Sequence, residues 1–209
     1  LMRSHSVAAE GGTAAVLYPQ EGDSFALHAW DTIKGSDFLA DQDVVWTFVK
    51  LMPEEITLLD HWGIQWTRRP DGRIMQRPFG GHSFPRATMT ADKVGHAEMR
   101  TLYNKLLQYD GWERYDEWFV TDFIIENNEY RGLFAINVKE GRLYMFRSKA
   151  AIIAMGGIGR IYAFTTYSHT ATGDGMAAAY RAGLAIKDPE MVQFHPTGLV
   201  PSGILITEG

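Results

Sequence analysis

Residues 118–157 read WFVTDFIIENNEYRGLFAINVKEGRLYMFRSKAAIIAMGG, and this stretch decides the fold class. Trp118 to Ile125, Tyr130 to Val138 and Arg142 to Arg147 are short apolar runs, separated by Asn127-Asn128 and by Glu140-Gly141. Two tight turns between short apolar runs predict an antiparallel three-stranded meander. Ala150-Ala151-Ile152-Ile153-Ala154 follows as a continuous apolar run that ends at Gly156-Gly157. Such a run predicts a strand buried on both faces and leading into a nucleotide-side turn.

Outward from this centre the pattern turns helical. From Asp174, Gly175-Met176-Ala177-Ala178-Ala179-Tyr180-Arg181-Ala182-Gly183 predicts a short helix opened and closed by glycine. Upstream, Ala91 to Leu107 places Met99, Leu102, Tyr103 and Leu106 at helical spacing. Asp41 to Trp62 also reads as helical, with Val44, Val45, Phe48, Val49 and Met52 on one face. Pro53 is expected to break that helix and open a second, with Glu54 and Glu55 in its first turn and its end at Gly63. Residues 68–86, rich in Arg, Gly and Pro, read as a long excursion, and loops of that length are often functional. Meander, buried strand and helices together define an α/β chain, although no G-x-G-x-x-G turn occurs anywhere in it.

Composition removes several function classes. The 209 residues carry a formal net charge of −5, which leaves no basic footprint for a nucleic acid. No apolar run approaches the length of a membrane span, so any membrane association is expected through a partner. There is no cysteine, which excludes disulfides, thiolate metal sites and Cys-ligated iron–sulfur clusters from these 209 residues. No metal ligand set is expected. Redox chemistry here requires an organic cofactor, and its electrons must pass to something outside the chain.

Taken singly, the chemical motifs are modest. Gly11-Gly12, Gly80-Gly81 and Gly156-Gly157 are each explained by a turn. Thr172-Gly173-Asp174-Gly175 opens a helix, where glycine admits a ligand closely and the N-terminus favours an anion, though a plain capped helix reads the same way. His5 stands in the polar run Arg3-Ser4-His5-Ser6, and His195 in the apolar Gln193-Phe194-His195-Pro196-Thr197.

Their joint order is informative. Arg3-Ser4-His5-Ser6-Val7-Ala8-Ala9-Glu10-Gly11-Gly12, Asp31-Thr32 before Lys34-Gly35-Ser36-Asp37, and Gln76-Arg77-Pro78-Phe79-Gly80-Gly81 come first. Ala154-Met155-Gly156-Gly157, Thr172-Gly173-Asp174-Gly175, Gln193-Phe194-His195-Pro196-Thr197 and Leu205-Ile206-Thr207-Glu208-Gly209 follow. In this order they resemble the flavoprotein subunit of the succinate dehydrogenase and fumarate reductase family over essentially the whole chain.

That resemblance implies an incomplete FAD-binding Rossmann-like domain over 1–188 and the start of a capping, substrate-closing domain over 189–209. It implies FAD attached covalently through His5, from a ring nitrogen to the flavin 8-methyl carbon. Ser4, Ser6, Glu10, Gly11, Gly12, Gly156, Gly157 and Asp174 would line the cofactor. His195 and Thr207 would donate hydrogen bonds to a dicarboxylate, Phe79 would pack over substrate and flavin, and Glu208 would lie on the proton path. The implied reaction is hydride transfer between succinate or fumarate and the flavin, with positioning and electrostatics as the chain's contribution. The implied partners are an iron–sulfur subunit and, through it, membrane anchor subunits and a quinone pool. The implied location is peripheral, on the cytoplasmic face of the plasma membrane or the matrix side of a mitochondrion.

Against the family pattern, the chain begins after the G-x-G-x-x-G turn and stops where a C-R-G-E-G-G segment continues. The isolated piece is therefore expected to be inactive. Glu10 stands where many succinate dehydrogenases carry Gln, and a carboxylate there would lower the flavin potential. Together with Arg68-Arg69-Pro70-Asp71-Gly72, Glu10 inclines the reading to the fumarate reductase branch. Met155 replaces a common Thr. L-aspartate oxidase shares the Gly-Gly, T/S-G-D-G and Q-F-H-P-T segments but lacks the linking histidine, so His5 argues against it; a soluble periplasmic fumarate reductase, the second rival, also binds FAD without that link. A purely structural docking piece is the remaining alternative.

Overall fold

The computed structural model describes residues 3–195 and 197–206. Its described residues divide into two compact units, Ser6–Asp110 and Arg3–His5 with residues 111–206.

The first unit begins with β1 (Thr13–Ala14), followed by α1 (Phe25–Gly35) and α2 (Gln42–His61). Each helix has a side-chain cap. Ser24 Oγ accepts from the Leu27 N–H, and Asp41 Oδ1 from those of Asp43 and Val44. Gly63 closes α2 with φ 97°, while Gly63 N–H bonds the Asp60 carbonyl and Ile64 N–H that of Leu59. Pro53 does not break this helix, contrary to expectation; α2 runs through it. Proline inside a helix costs about 3 kcal/mol. Val49 and Ile56, one on either side of it and both fully buried, offset that at roughly 1.5–3 kcal/mol each. The expected face is only partly buried, since Val45 and Val49 are inside whereas Val44 and Phe48 are exposed.

The long excursion is more ordered than its composition suggests. It contains an Arg68–Ile74 bridge and β2 (Gln76–Arg77), which joins β1 and β3 (Ala87–Thr88) in an antiparallel sheet of order β1-β3-β2. The unit closes with α3 (Val94–Leu106). Its buried residues are Val94, Gly95 and Thr101, whereas Leu102 and Leu106 of the expected face are exposed. The packing face needs small residues, because a Cβ on Gly95 would stand 1.9 Å from the Ser6 carbonyl oxygen. Ala15, Ile56, Ile64, Trp66 and Val94 form one core cluster, and Ala29, Ile33, Val45 and Val49 another.

The second unit contains the meander as expected: β4 (Trp118–Glu126), β5 (Glu129–Asn137) and β6 (Arg142–Arg147), antiparallel in that order. Asn127 and Asn128 both have positive φ, which suits a two-residue hairpin turn to the twist of the strands. α4 (Asp174–Arg181) packs on β4, where Arg181 bonds Asp122 Oδ1 and the Thr121 carbonyl. A β7 (Gly198–Leu199) and β8 (Ile204–Leu205) hairpin ends the described chain.

The buried strand expected at Ala150–Ala154 is not formed. These residues carry no strand assignment, and Ile152 is 96% exposed. A parallel strand exists only beside partners that take up its backbone groups, and no described strand lies alongside this one.

Candidate functional site

In the second unit, the His5 imidazole lies flat on the Tyr167 ring, with centroids 4.2 Å apart and planes at 16°. His5 Nδ1 accepts the Ser168 N–H at 3.2 Å. The Arg3 carbonyl accepts from Ser168 Oγ at 2.9 Å and from Thr170 Oγ1 at 3.4 Å. One loop thus holds the Arg-Ser-His segment at two points. With Nδ1 serving as acceptor, the neutral imidazole carries its proton on Nε2, which is the nitrogen left for another bond. Beside it, Ser4 Oγ is buried with no partner among the described residues. An unpaired buried hydroxyl is costly and marks a place where a polar ligand belongs.

The same loop reaches the Gly156-Gly157 pair. A Cβ on Gly159 would stand 2.4 Å from the Tyr167 ring, and one on Gly157 would stand 3.3 Å from the Tyr167 hydroxyl. Met155 packs over Gly175, where a Cβ would approach the Met155 Cβ to 2.7 Å, so the chain entering Gly156-Gly157 rests on the start of α4. Gly173, with φ 80°, caps that helix, and the Thr172 hydroxyl bonds the Asp174 carboxylate. Gly156 has φ 77° and open space where a side chain would be, as a backbone approached by a ligand requires.

His195 is half-buried, and its Nδ1 accepts the Thr197 N–H at 3.2 Å. Here too Nε2 is left as a donor. The β7–β8 hairpin docks on residues 164–166, since a Cβ on Gly203 would stand 2.3 Å from the Thr165 carbonyl oxygen. His5 and the hairpin after His195 therefore attach to neighbouring parts of one loop. Thr207 and Glu208 lie outside the described residues.

In the first unit, Gly11 is buried, and Gly12 has φ 112° with the Thr88 carbonyl oxygen 2.5 Å from where a Cβ would stand. Arg77 Nη2 donates to the carbonyls of Glu10 at 3.1 Å and Gly11 at 2.8 Å, and its guanidinium lies 5.5 Å from the Phe79 ring centre. Arg77 thus joins the first Gly pair to Phe79. Ser6 carries the carbonyl that Gly95 packs against. Ser83, beyond Phe79, gives both its N–H and its hydroxyl to the Asp31 carboxylate. Arg86, fully buried, pairs with Asp23 and Asp31. Burial pushes the Asp31 carboxyl up, but the Ser83 and Arg86 hydrogen bonds prevail and hold it below its usual value. Burial, with the Arg86 and His82 charges, pushes His28 down to about 4. Burial raises Glu98, whose carboxylate accepts from the Thr13 hydroxyl.

Sequence reasoning missed Tyr167 and Ser168 as partners of His5, and Arg86 as the partner of Asp31. Their only signal was position, in a polar loop before Thr172-Gly173-Asp174-Gly175 and at the end of the Arg-rich excursion.

The Ser4 hydroxyl, unpaired among the described residues, the Nε2 of His5 and the open backbone at Gly156 suit a flavin dinucleotide. That chemistry is of the kind a flavin-binding protein uses. Residues 1–209 match the model of the FAD binding domain family, and the chain belongs to that family. Over 208 residues it is 49% identical to the fumarate reductase flavoprotein subunit of a Serratia strain, covering 100% of this chain and 34% of the relative. It is 44% identical over 215 residues to the succinate dehydrogenase flavoprotein subunit of Rickettsia bellii, covering 99% of this chain and 36% of the relative. Among solved structures, quinol fumarate reductase of E. coli superposes with a TM-score of 0.94 at 48% identity, over 99% of this chain and 35% of that one. The chain spans about a third of the length of these relatives. No helix among the described residues is long and apolar enough to cross a membrane.

Proposed function

We propose that this chain is part of the flavoprotein subunit of an enzyme that interconverts succinate and fumarate, with FAD bound covalently through Nε2 of His5. The observation that carries the reading is the state of His5: one nitrogen is engaged by the Ser168 N–H, and the other is left for the bond. When bound, FAD supplies the hydride acceptor or donor at its N5. Ser4, Ser6, Glu10, Gly11, Gly12, Gly156, Gly157 and Asp174 would line it, small residues permitting close approach of the ring and dinucleotide.

The chain's own residues bind and orient the diacid. His195 offers Nε2–H to one carboxylate, and Thr207 offers a hydroxyl, since a buried dianion needs such partners. Phe79, held by Arg77, shields the reacting carbons from water, and Glu208 passes a proton toward the neighbouring carbon. In this reading 1–188 is the cofactor domain and 189–209 opens the capping domain.

With no cysteine in the chain, electrons leave to an iron–sulfur subunit and reach a quinone pool through membrane anchors. The subunit would then lie peripherally, on the cytoplasmic or matrix face of its membrane. The fumarate reductase branch is favoured: six fumarate reductase flavoprotein subunits match at 45–49% identity, against 44% and 43% for two succinate dehydrogenase flavoprotein subunits. Glu10 supports the same branch through its effect on the flavin potential.

Acid precipitation of the full-length protein tests the reading. Flavin should stay with the pellet and, after digestion, with the peptide containing His5. Flavin released to the supernatant rejects the covalent link.

A further inference from the structure

The contacts that hold His5 come from residues outside every motif that suggested a flavin. A histidine side chain turns about two bonds, and a half-buried imidazole on the first residue of a single 3-10 turn (His5–Ala8) is not oriented by its backbone alone. Here Tyr167 fixes the plane of the ring by stacking, and the Ser168 N–H fixes its rotation by engaging Nδ1. The Tyr167 ring itself lies against Gly159, where one added carbon would collide at 2.4 Å, and touches Gly157, where it would be a tight contact at 3.3 Å. The result is a stack of glycine backbone, phenol ring and imidazole.

We propose that Tyr167 is the positioning residue for covalent flavin attachment, holding the His5 ring so that Nε2 is presented to the cofactor's methyl carbon. This rests on the reading of His5 as the attachment point. Bond formation exchanges Nε2–H and one methyl C–H for an Nε2–C bond. Two protons go to solvent and two electrons go to an external acceptor of the dioxygen or unsaturated-dicarboxylate class. The chain contributes orientation. A nucleophile kept within reach and aligned reacts orders of magnitude faster than a freely turning one, so losing the stack should slow attachment at least about tenfold. The phenol hydroxyl has no part in the stacking, so Phe should serve in place of Tyr.

The test uses the full-length protein expressed in its own host and sampled over time after induction. Acid-stable flavin is measured as a fraction of total bound flavin for wild type, Tyr167→Ala, Tyr167→Leu and Tyr167→Phe. The expected result is near-normal attachment in Tyr167→Phe. Tyr167→Ala and Tyr167→Leu should bind FAD to within about twofold of wild type yet accumulate the acid-stable form at least about tenfold more slowly. Tyr167→Leu keeps apolar bulk against Gly157 and Gly159, so its loss separates stacking from mere filling of space. Wild-type attachment in Tyr167→Leu, or slow attachment in Tyr167→Phe, overturns the proposal. Wild-type protein without acid-stable flavin overturns the His5 reading itself, a result distinguishable from both.

Discussion

Arg86 Nη1 donates to Asp31 Oδ2 at 2.5 Å, and the two side chains are 0% and 5% exposed. The guanidinium also forks onto Asp23 through Nε and Nη2 at 2.8–3.0 Å. Because Asp31 lies on α1 and takes two hydrogen bonds from Ser83, this buried group fastens the far end of the Phe79 loop to a helix.

Removing one partner leaves a buried charge uncompensated. Asp31→Ala should destabilise the protein by about 3–5 kcal/mol. Asp31→Asn, which keeps part of the hydrogen bonding, should cost less. Urea unfolding measures both, and an Asp31→Ala midpoint equal to wild type would contradict the buried pairing.

His28 makes stability depend on pH. Its pKa in the folded protein is depressed from 6.5 to about 4 by burial and by the Arg86 and His82 charges, against the pull of Asp23 and Asp31. His82 is lowered for the same first reason. Below about 6.5 the unfolded chain therefore binds protons that the folded chain refuses, and stability falls as pH drops toward about 4. The His28 contribution between pH 7 and pH 5 should be about 2 kcal/mol. His28→Leu should flatten that part of the profile, and an unchanged slope would remove His28 as its cause.

His195 should govern substrate affinity in the full-length enzyme. Loss of a charge-assisted hydrogen bond costs about 1.5–3 kcal/mol, so His195→Ala should raise KM for succinate or fumarate roughly 10–100-fold. Steady-state kinetics on both substrates check this. An unchanged KM would take His195 out of the site.

Gly95 is a packing requirement. Its missing Cβ makes room for the Ser6 carbonyl oxygen, which a side chain would meet at 1.9 Å. Gly95→Ala should cost about 1–3 kcal/mol by overpacking, read as a lowered urea midpoint. A neutral result would mean that α3 and the Ser6–Ala9 segment are not in contact.

The meander was legible because strand pairing across short turns is local: Asn127 and Asn128 specify their hairpin without help from elsewhere. The ends of α2 and α4 were legible for the same reason, since Gly63 and Gly183 each accept a left-handed backbone that other residues resist. The apolar run at 150–154 misled because apolarity states a preference for burial without supplying a neighbour, and Ile152 stands in the open. Pro53 misled in the opposite sense, as the packing of Val49 and Ile56 outweighed its local cost.

By itself the sequence determined the α/β class, the glycine-ended helices and the hairpin turns, the lack of any thiol chemistry in these residues, and the ordered motifs that place the chain among FAD-binding proteins. Tertiary structure alone decided how the chemical groups are held. The nitrogen that His5 leaves free is set by Ser168, 163 residues away in the chain, and the partners of Arg86 lie 55 and 63 residues back. Backbone capping is settled within one turn, so a short stretch of sequence contains it. The orientation of an imidazole and the neutralisation of a buried guanidinium depend on contacts that exist only once distant segments have packed.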